Sequence, residues 1–276
     1  MGREGGDCAE EMNIHETEKI KKMSSIKNLR QTLLRSLGLA GFLFYGVCAF
    51  SQGAVELVKE MHNKYFGRWY HTFTFMQTTD IYQNDSLIRT STWYEAAHFP
   101  YQFRIDLGDP KEGNAVIYLK DSTYRFQDHK LKSVTAGTNP FTFLLGGMYA
   151  VPLDSAISTL KRQGYDLSKR YTKTVDGRKV FVVGAANAAD TTSKQFWVDS
   201  EHFYIVRTIE SYDGNLLDAK TSGHVQLNNG WSETKVVIYV NGKLRQVEKY
   251  ADLKADVPLD DRLFDPRRFG EWHWVK

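Results

Sequence analysis

The sequence contains little cysteine and almost no excess charge. Among its 276 residues there are only two cysteines, Cys8 and Cys48, and both precede residue 52. The longer remainder of the chain is therefore predicted to have no disulfide, no thiolate nucleophile and no cysteine-ligated metal. The formal net charge of +3 is too small to attract nucleic acid, and no run of basic residues alternates with aromatic ones. We predict no nucleic-acid partner.

The usual catalytic motifs are also missing. The eight histidines include no pair at His-x-His or His-x-x-x-His spacing, so the sequence indicates no metal site. Neither a Gly-x-Ser-x-Gly nucleophile motif nor a phosphate-binding loop occurs. We predict a protein that is not an enzyme and that uses no metal or cofactor. The alternative is a cavity enzyme in which a buried His71 or His98 works with an aspartate as acid and base.

An apolar run over residues 37–50 is short for a membrane span, which needs about 20 apolar residues. Basic but no acidic residues lie between Met23 and this run, and small residues lead up to Ser51. This pattern is typical of a secretory signal peptide that is cleaved after Ser51. We predict that residues 1–51 are an N-terminal extension and signal peptide, and that residues 52–276 form a single exported domain. An uncleaved N-terminal anchor is the alternative.

Beyond the predicted signal peptide, the sequence predicts a mainly β chain with two helical regions. Apolar residues recur at three- and four-residue spacing over 54–66, which predicts a leading helix. Residues 139–164 have few strand signals and predict a helical insert in the middle of the chain. About eleven short strands surround it, and turns such as Asp213-Gly214 and Asn241-Gly242 connect several of them. This order favours one large, curved antiparallel sheet, open or closed as a barrel.

The stretch from His98 to Leu107 alternates apolar and polar residues. Successive side chains of a strand point to opposite faces, so one face carries aromatic and aliphatic groups. The other face, which includes Arg104 and Asp106, is polar and is predicted to face water. A one-layer sheet of this length has more apolar surface than two helical regions can cover. This favours a cavity for a lipophilic ligand, although an ordinary core remains the alternative.

The order of these segments resembles the LolA family, periplasmic carriers of outer-membrane lipoproteins. The resemblance rests on FTFMQ after the leading helix and on five further segments in the same order: STWYEAAHFPYQFRID, AVIYLKDSTYRFQDHKLKSV, NPFTFLL, KQFWVDSEHFYIVRTIESYDG and DDRLFDPRRF. It implies an unclosed half-barrel of about eleven strands, covered by helices, with residues 139–149 (the lid segment) above a cavity for acyl chains. It also implies a monomeric periplasmic carrier without a catalytic group, with a donor at the inner membrane and an acceptor at the outer membrane.

Eleven residues are predicted to bind the ligand. Those on the sheet side are Phe73, Phe75, Trp93, Phe99, Phe103 and Ile105, and those on the lid side are Phe141, Phe143, Leu144, Leu145 and Met148. One departure from the family is at Phe99, because founding members carry at this place an arginine that latches the lid. Arg104 is the candidate to take over part of that role.

Two further alternatives come from tryptophans. Gly67 and Trp69 form a Gly-x-Trp pattern like the start of the lipocalin signature, which would indicate an eight-stranded closed barrel for a lipophilic ligand. An envelope glycan-binding module would use Trp93, Trp197 or Trp272.

Overall fold

The computed structural model describes residues 53–137 and 139–275. The predicted signal peptide and both cysteines lie outside these residues, and the prediction of a single domain over 52–276 stays a prediction. Within the described ranges, no helix has the length and apolar character needed to cross a membrane.

Three helices and fifteen strands make up the described chain. The helices are α1 Ala54–Tyr65, α2 Pro140–Leu144 and α3 Leu153–Arg162, and a 3₁₀ turn covers Gly147–Tyr149. The strands are β1 Thr72–Gln83, β2 Ser86–His98, β3 Gln102–Leu107, β4 Ala115–Tyr118, β5 Ser122–Gln127, β6 Lys130–Ala136, β7 Arg170–Val175, β8 Arg178–Val183, β9 Gln195–Asp199, β10 Ile205–Tyr212, β11 Asn215–Ser222, β12 Val225–Leu227, β13 Gly230–Ser232, β14 Lys235–Val240 and β15 Lys243–Ala255.

Thirteen of these strands form one antiparallel sheet in the order β6-β5-β4-β3-β2-β1-β15-β14-β11-β10-β9-β8-β7, and β12 pairs with β13 alone. The end strands β6 and β7 do not pair, so the sheet is unclosed, and the predicted mainly β half-barrel is confirmed. The sheet has more strands than the predicted eleven. All side chains of β6 are exposed, and its sequence does not alternate apolar with polar residues. The sequence pattern therefore did not predict this strand. An open sheet of this size also contradicts the closed lipocalin barrel, and Gly67 and Trp69 lie before the first strand.

The main hydrophobic core lies between the helices and one face of the sheet, here called the inner face. Helix α1 contributes Leu57, Val58 and Met61, which are fully buried, as its predicted apolar stripe requires. The helix ends at Tyr65, and Gly67 follows with a φ of 68°, a left-handed conformation that glycine adopts without steric penalty.

The C-terminal residues 256–275 cover part of the opposite, outer face. Leu263 and Phe264 pack there against Ala96 of β2, and Trp272 and Trp274 join the same cluster. The prediction that the polar face of the 98–107 strand meets water is therefore wrong for Arg104 and Asp106, which are only 2% and 0% exposed. The two side chains neutralise each other on the same face of β3, which lets a neighbouring segment cover them.

Hydrogen bonds tie this buried pair to the C-terminal residues. The Arg104 guanidinium donates to both Asp106 carboxylate oxygens at 2.9 and 2.7 Å and to the Leu263 carbonyl at 3.1 Å. The same guanidinium lies 4.7 Å from the centre of the Phe269 ring, and His273 Nε2 is 2.8 Å from Asp106 Oδ2. Arg104 thus binds the outer layer and does not contact the lid segment, so its predicted role as a substitute lid latch is wrong.

Candidate functional site

A cavity of about 150 Å3 lies between the inner face of the sheet and the lid segment. Its walls come from strands β1, β2, β3, β10, β11, β13, β14 and β15 and from helix α2. Aromatic and aliphatic side chains make up most of this lining, and no lysine, arginine or histidine takes part in it. A largely apolar concave space with a few polar groups is the usual character of a small-molecule site, although this one is smaller than most.

All six sheet-side residues of the prediction line this cavity, namely Phe73, Phe75, Trp93, Phe99, Phe103 and Ile105. Alternation along the strands explains this result, because residues two apart share a face. The rings form a continuous surface: Phe73 and Phe75 have centres 4.9 Å apart, and Phe75 and Tyr250 are 4.4 Å apart.

The lid-side residues divide into two groups. Phe141 and Leu145, one helical turn apart, line the cavity, whereas Phe143, Leu144 and Met148 do not. These last three are buried in the main core, where Phe143 stacks on Tyr101 at 6.2 Å. A helix presents residues four apart on the same side, so only one side of α2 meets the cavity.

The local sequence explains how the lid segment begins. Asn139 precedes α2, and its side-chain oxygen accepts a hydrogen bond from the Phe141 backbone N–H at 2.9 Å. Pro140 occupies the first turn of the helix. Backbone N–H groups of the first turn have no acceptor within the helix, so the lack of an N–H in proline costs no hydrogen bond there. Asn139 also lines the cavity, so the start of the helix is fixed at the edge of the site.

Two glycines let the lid segment approach the sheet closely. A Cβ atom on Gly146 would lie 2.7 Å from Cζ of Phe99, and a Cβ atom on Gly147 would lie 2.5 Å from the carbonyl oxygen of Pro100. Phe99 thus contacts the lid segment by packing.

Gly147→Ala is expected to lower the free energy of unfolding by about 1–3 kcal/mol, the usual range for overpacking of a buried position. The added methyl group meets backbone oxygens, of Pro100 at 2.5 Å and Thr142 at 3.1 Å, and these cannot rotate away as a side chain can. Denaturant unfolding of the two proteins measures the difference. An unchanged midpoint and slope would show that the lid segment does not pack on Pro100.

The sequence prediction missed a polar end of the cavity. Glu95, Glu233 and Glu248 line it together with Gln77 and Tyr250, and all three glutamates are buried. The position of Glu95 could have been predicted from the sequence, because it alternates with Trp93 and Ala97 and therefore shares their face of β2. Glu233 lies in the break between β13 and β14, which the sequence pattern does not mark as a break.

Burial changes the acidity of these carboxyl groups. Burial raises the pKa of Glu95 well above its ordinary value, and the charges of Glu248 and Glu233 raise it further. The pKa of Glu233 is raised to about 7, mainly by burial. Burial also raises the pKa of Glu248, although hydrogen bonds from Tyr250 and Gln246 oppose that rise. The Tyr250 hydroxyl donates to Glu248 at 2.8 Å and Gln246 donates to it at 2.5 Å.

The part of the chain that the structure describes contains no group of three or more histidine, cysteine, aspartate or glutamate residues arranged to hold a metal ion. The tryptophans considered for glycan binding do not share a surface. Trp93 lines the cavity, Trp197 packs with Val180 and Val182, and Trp272 belongs to the outer cluster with Leu263.

Comparison with known proteins places the fold. No family model matches the sequence, and no curated protein matches it significantly. A DUF1329 family protein from Desulfovibrio piger has 14% identity and a TM-score of 0.55, with 78% of this chain and 97% of that chain covered. A LolA superfamily protein from Nitrosomonas europaea has 12% identity and a TM-score of 0.51, with 78% and 98% covered. A domain described as an outer membrane lipoprotein-sorting protein, from Vibrio parahaemolyticus, has 12% identity and a TM-score of 0.55, with 78% and 97% covered.

These similarities show a LolA-like fold and confirm the resemblance that the sequence order indicated. Because the identities are low, the likeness concerns the fold alone.

Proposed function

We propose that this protein is a non-catalytic carrier that shields the acyl chains of a lipoprotein or another envelope lipid. The observation that supports this most strongly is the largely apolar cavity between the sheet and the lid segment. Each methylene group transferred from water into such a cavity contributes about 0.8 kcal/mol. An acyl chain is therefore bound through its length, and no charged partner in the apolar wall is needed.

The size of the cavity implies that the lid segment moves during loading. A volume of about 150 Å3 is comparable to an engineered protein cavity that accepts benzene. It holds part of an acyl chain in the closed state. A longer chain enters when the lid segment swings away from the sheet, and Gly146 and Gly147, which join α2 to the 3₁₀ turn, serve as the hinge.

The proposed place of action is the periplasm, with loading at an inner-membrane donor, delivery to an outer-membrane acceptor and a monomeric carrier in between. The signal-like residues 23–51 support export. The similarity to a Vibrio domain described as lipoprotein-sorting supports the class of cargo.

The absence of catalysis is part of this proposal. No histidine, cysteine or lysine lines the cavity among the described residues. His71 is exposed and His98 does not line the cavity, so neither stands where an acid–base residue of this site would act.

The protein is expected to carry lipid when it is purified from cells that make it at low level. Native mass spectrometry should show the polypeptide with a bound mass, and organic extraction should release a molecule with at least one long hydrocarbon chain. A protein of similar size from the same cells serves as the control for adhering lipid. Detection of the bare polypeptide alone would contradict a carrier function.

A further inference from the structure

The three buried carboxyl groups stand at one end of an otherwise apolar cavity. Glu95 comes from β2, Glu248 comes from β15 and Glu233 comes from the break between β13 and β14. They repel one another, since the charges of Glu248 and Glu233 both act on Glu95. Tyr250 lies within reach of all three charges. The fold thus brings three carboxyl groups from distant parts of the chain together in one wall of the cavity.

Among the described residues that line the cavity, no basic side chain stands beside these carboxyl groups. The lining contains no lysine, arginine or histidine. Glu95 is 4% exposed and lines the cavity together with the other two glutamates. A buried carboxyl group is costly to ionise unless a counter-charge is present. Three such groups without a basic neighbour in the cavity wall point to a cationic partner that arrives with the ligand.

An unsatisfied hydroxyl on the lid segment supports the same conclusion. Thr142 of the lid segment lines the cavity and is buried, and its hydroxyl has no hydrogen-bond partner. Thr142 does not belong to the carboxyl cluster, since it lies on α2, and it offers a further oxygen that can accept a hydrogen bond.

We propose that the ligand is a lipid that carries a cationic amine, with its chain among the aromatic side chains and its ammonium group among Glu95, Glu233 and Glu248. This inference rests on the proposed carrier function and specifies its ligand. An ammonium group has three N–H donors and no acceptor, which matches a wall of carboxyl oxygens. Its positive charge favours the ionised form of carboxyl groups whose pKa burial otherwise raises, and hydrogen bonds between charged partners are about twice as strong as neutral ones. A phosphate or carboxylate head group would instead find no cation in this wall.

Three single-chain probes of equal length test the proposal: dodecylamine, dodecanol and dodecanoate. Calorimetric titration of the full-length protein at neutral pH, below the aggregation concentration of each probe, is expected to give about tenfold tighter binding for the amine than for the alcohol. Dodecanoate is expected to bind most weakly. Glu95→Gln should remove most of the amine preference, because the amide keeps the shape of the carboxyl group and cannot ionise beside an ammonium group.

Glu201→Gln is the matched control, because Glu201 is a surface glutamate whose side chain is 82% exposed. It should leave all three affinities unchanged. Equal binding of the three probes, or an amine preference that survives Glu95→Gln, would overturn the amine inference and leave the carrier proposal standing. Failure of every probe to bind would overturn the carrier proposal as well.

Discussion

Phe103→Asp is expected to weaken lipid binding about 100-fold and to lower the thermal stability only slightly. Phe103 is half-buried, lines the cavity from β3 and stacks on Tyr118 of β4 at 6.0 Å. An ionised carboxylate in the apolar wall must lose water to let an acyl chain in, which costs several kcal/mol. A loss of about 100-fold corresponds to about 2.8 kcal/mol. The free-energy cost of the new carboxylate is smaller in the empty protein, because the group keeps access to water in the cavity.

The comparison of binding with stability distinguishes a cavity wall from an ordinary core. Ile88→Asp is the matched control: Ile88 is 57% exposed on β2, so the same kind of change there should alter neither quantity. Binding is measured by displacement of a fluorescent lipophilic probe and stability by denaturant unfolding. If Phe103→Asp destabilised the fold by as much as a buried Phe→Ala change, about 3–5 kcal/mol, the residue would be part of a plain core.

The sheet side of the cavity could be predicted because it depends on local alternation. Once Phe103 and Ile105 lie on one face of β3, the pairing with β2 and β1 places Phe75 and Trp93 on the same face. The lid segment was harder to predict. Its apolar residues outnumber the positions that face the cavity, and Phe143 and Leu144 instead complete the core between the helices. Composition indicates a buried segment, but only the packed helix shows which side meets the ligand.

The features that the sequence could not predict depend on contacts between distant residues. Arg104 and Leu263 are 159 residues apart. The sequence around β3 contains no pattern that predicts a cover of C-terminal residues on its outer face. The carboxyl end of the cavity has the same origin, because β2, β15 and the break after β13 meet only in the folded sheet. A polar residue in an alternating strand can be assigned to one face of the sheet from the sequence. The sequence does not show which residues of other strands will lie beside it on that face.

The buried pair of Arg104 and Asp106 leads to the largest expected change in stability. Arg104→Met keeps an unbranched chain of similar bulk but leaves Asp106, which is 0% exposed, without its main partner. It also removes the donor to the Leu263 carbonyl and the contact with the Phe269 ring. Removal of one member of a buried ion pair typically costs about 3–5 kcal/mol. For a protein of this size the melting temperature should fall by on the order of 10 °C.

Arg267→Met is the control for this experiment, because Arg267 pairs with Asp265 at the same two-residue spacing but is 88% exposed. An exposed pair contributes at most about 1 kcal/mol, so this variant should differ little from the wild type. The double variant Arg104→Met/Asp106→Leu separates the two causes of instability. It should recover much of the loss, because no unpaired charge remains buried.

Lipid binding by folded Arg104→Met should stay close to the wild-type value, since the pair lies on the outer face and the cavity on the inner face. If Arg104→Met were as mild as Arg267→Met, residues 256–275 would not form a packed outer layer. If it abolished lipid binding at a temperature where the protein is folded, the outer layer would control the cavity through the sheet. The two faces of β3 would then act as one unit, and Phe103→Asp and Arg104→Met would have to be tested as a double-mutant cycle.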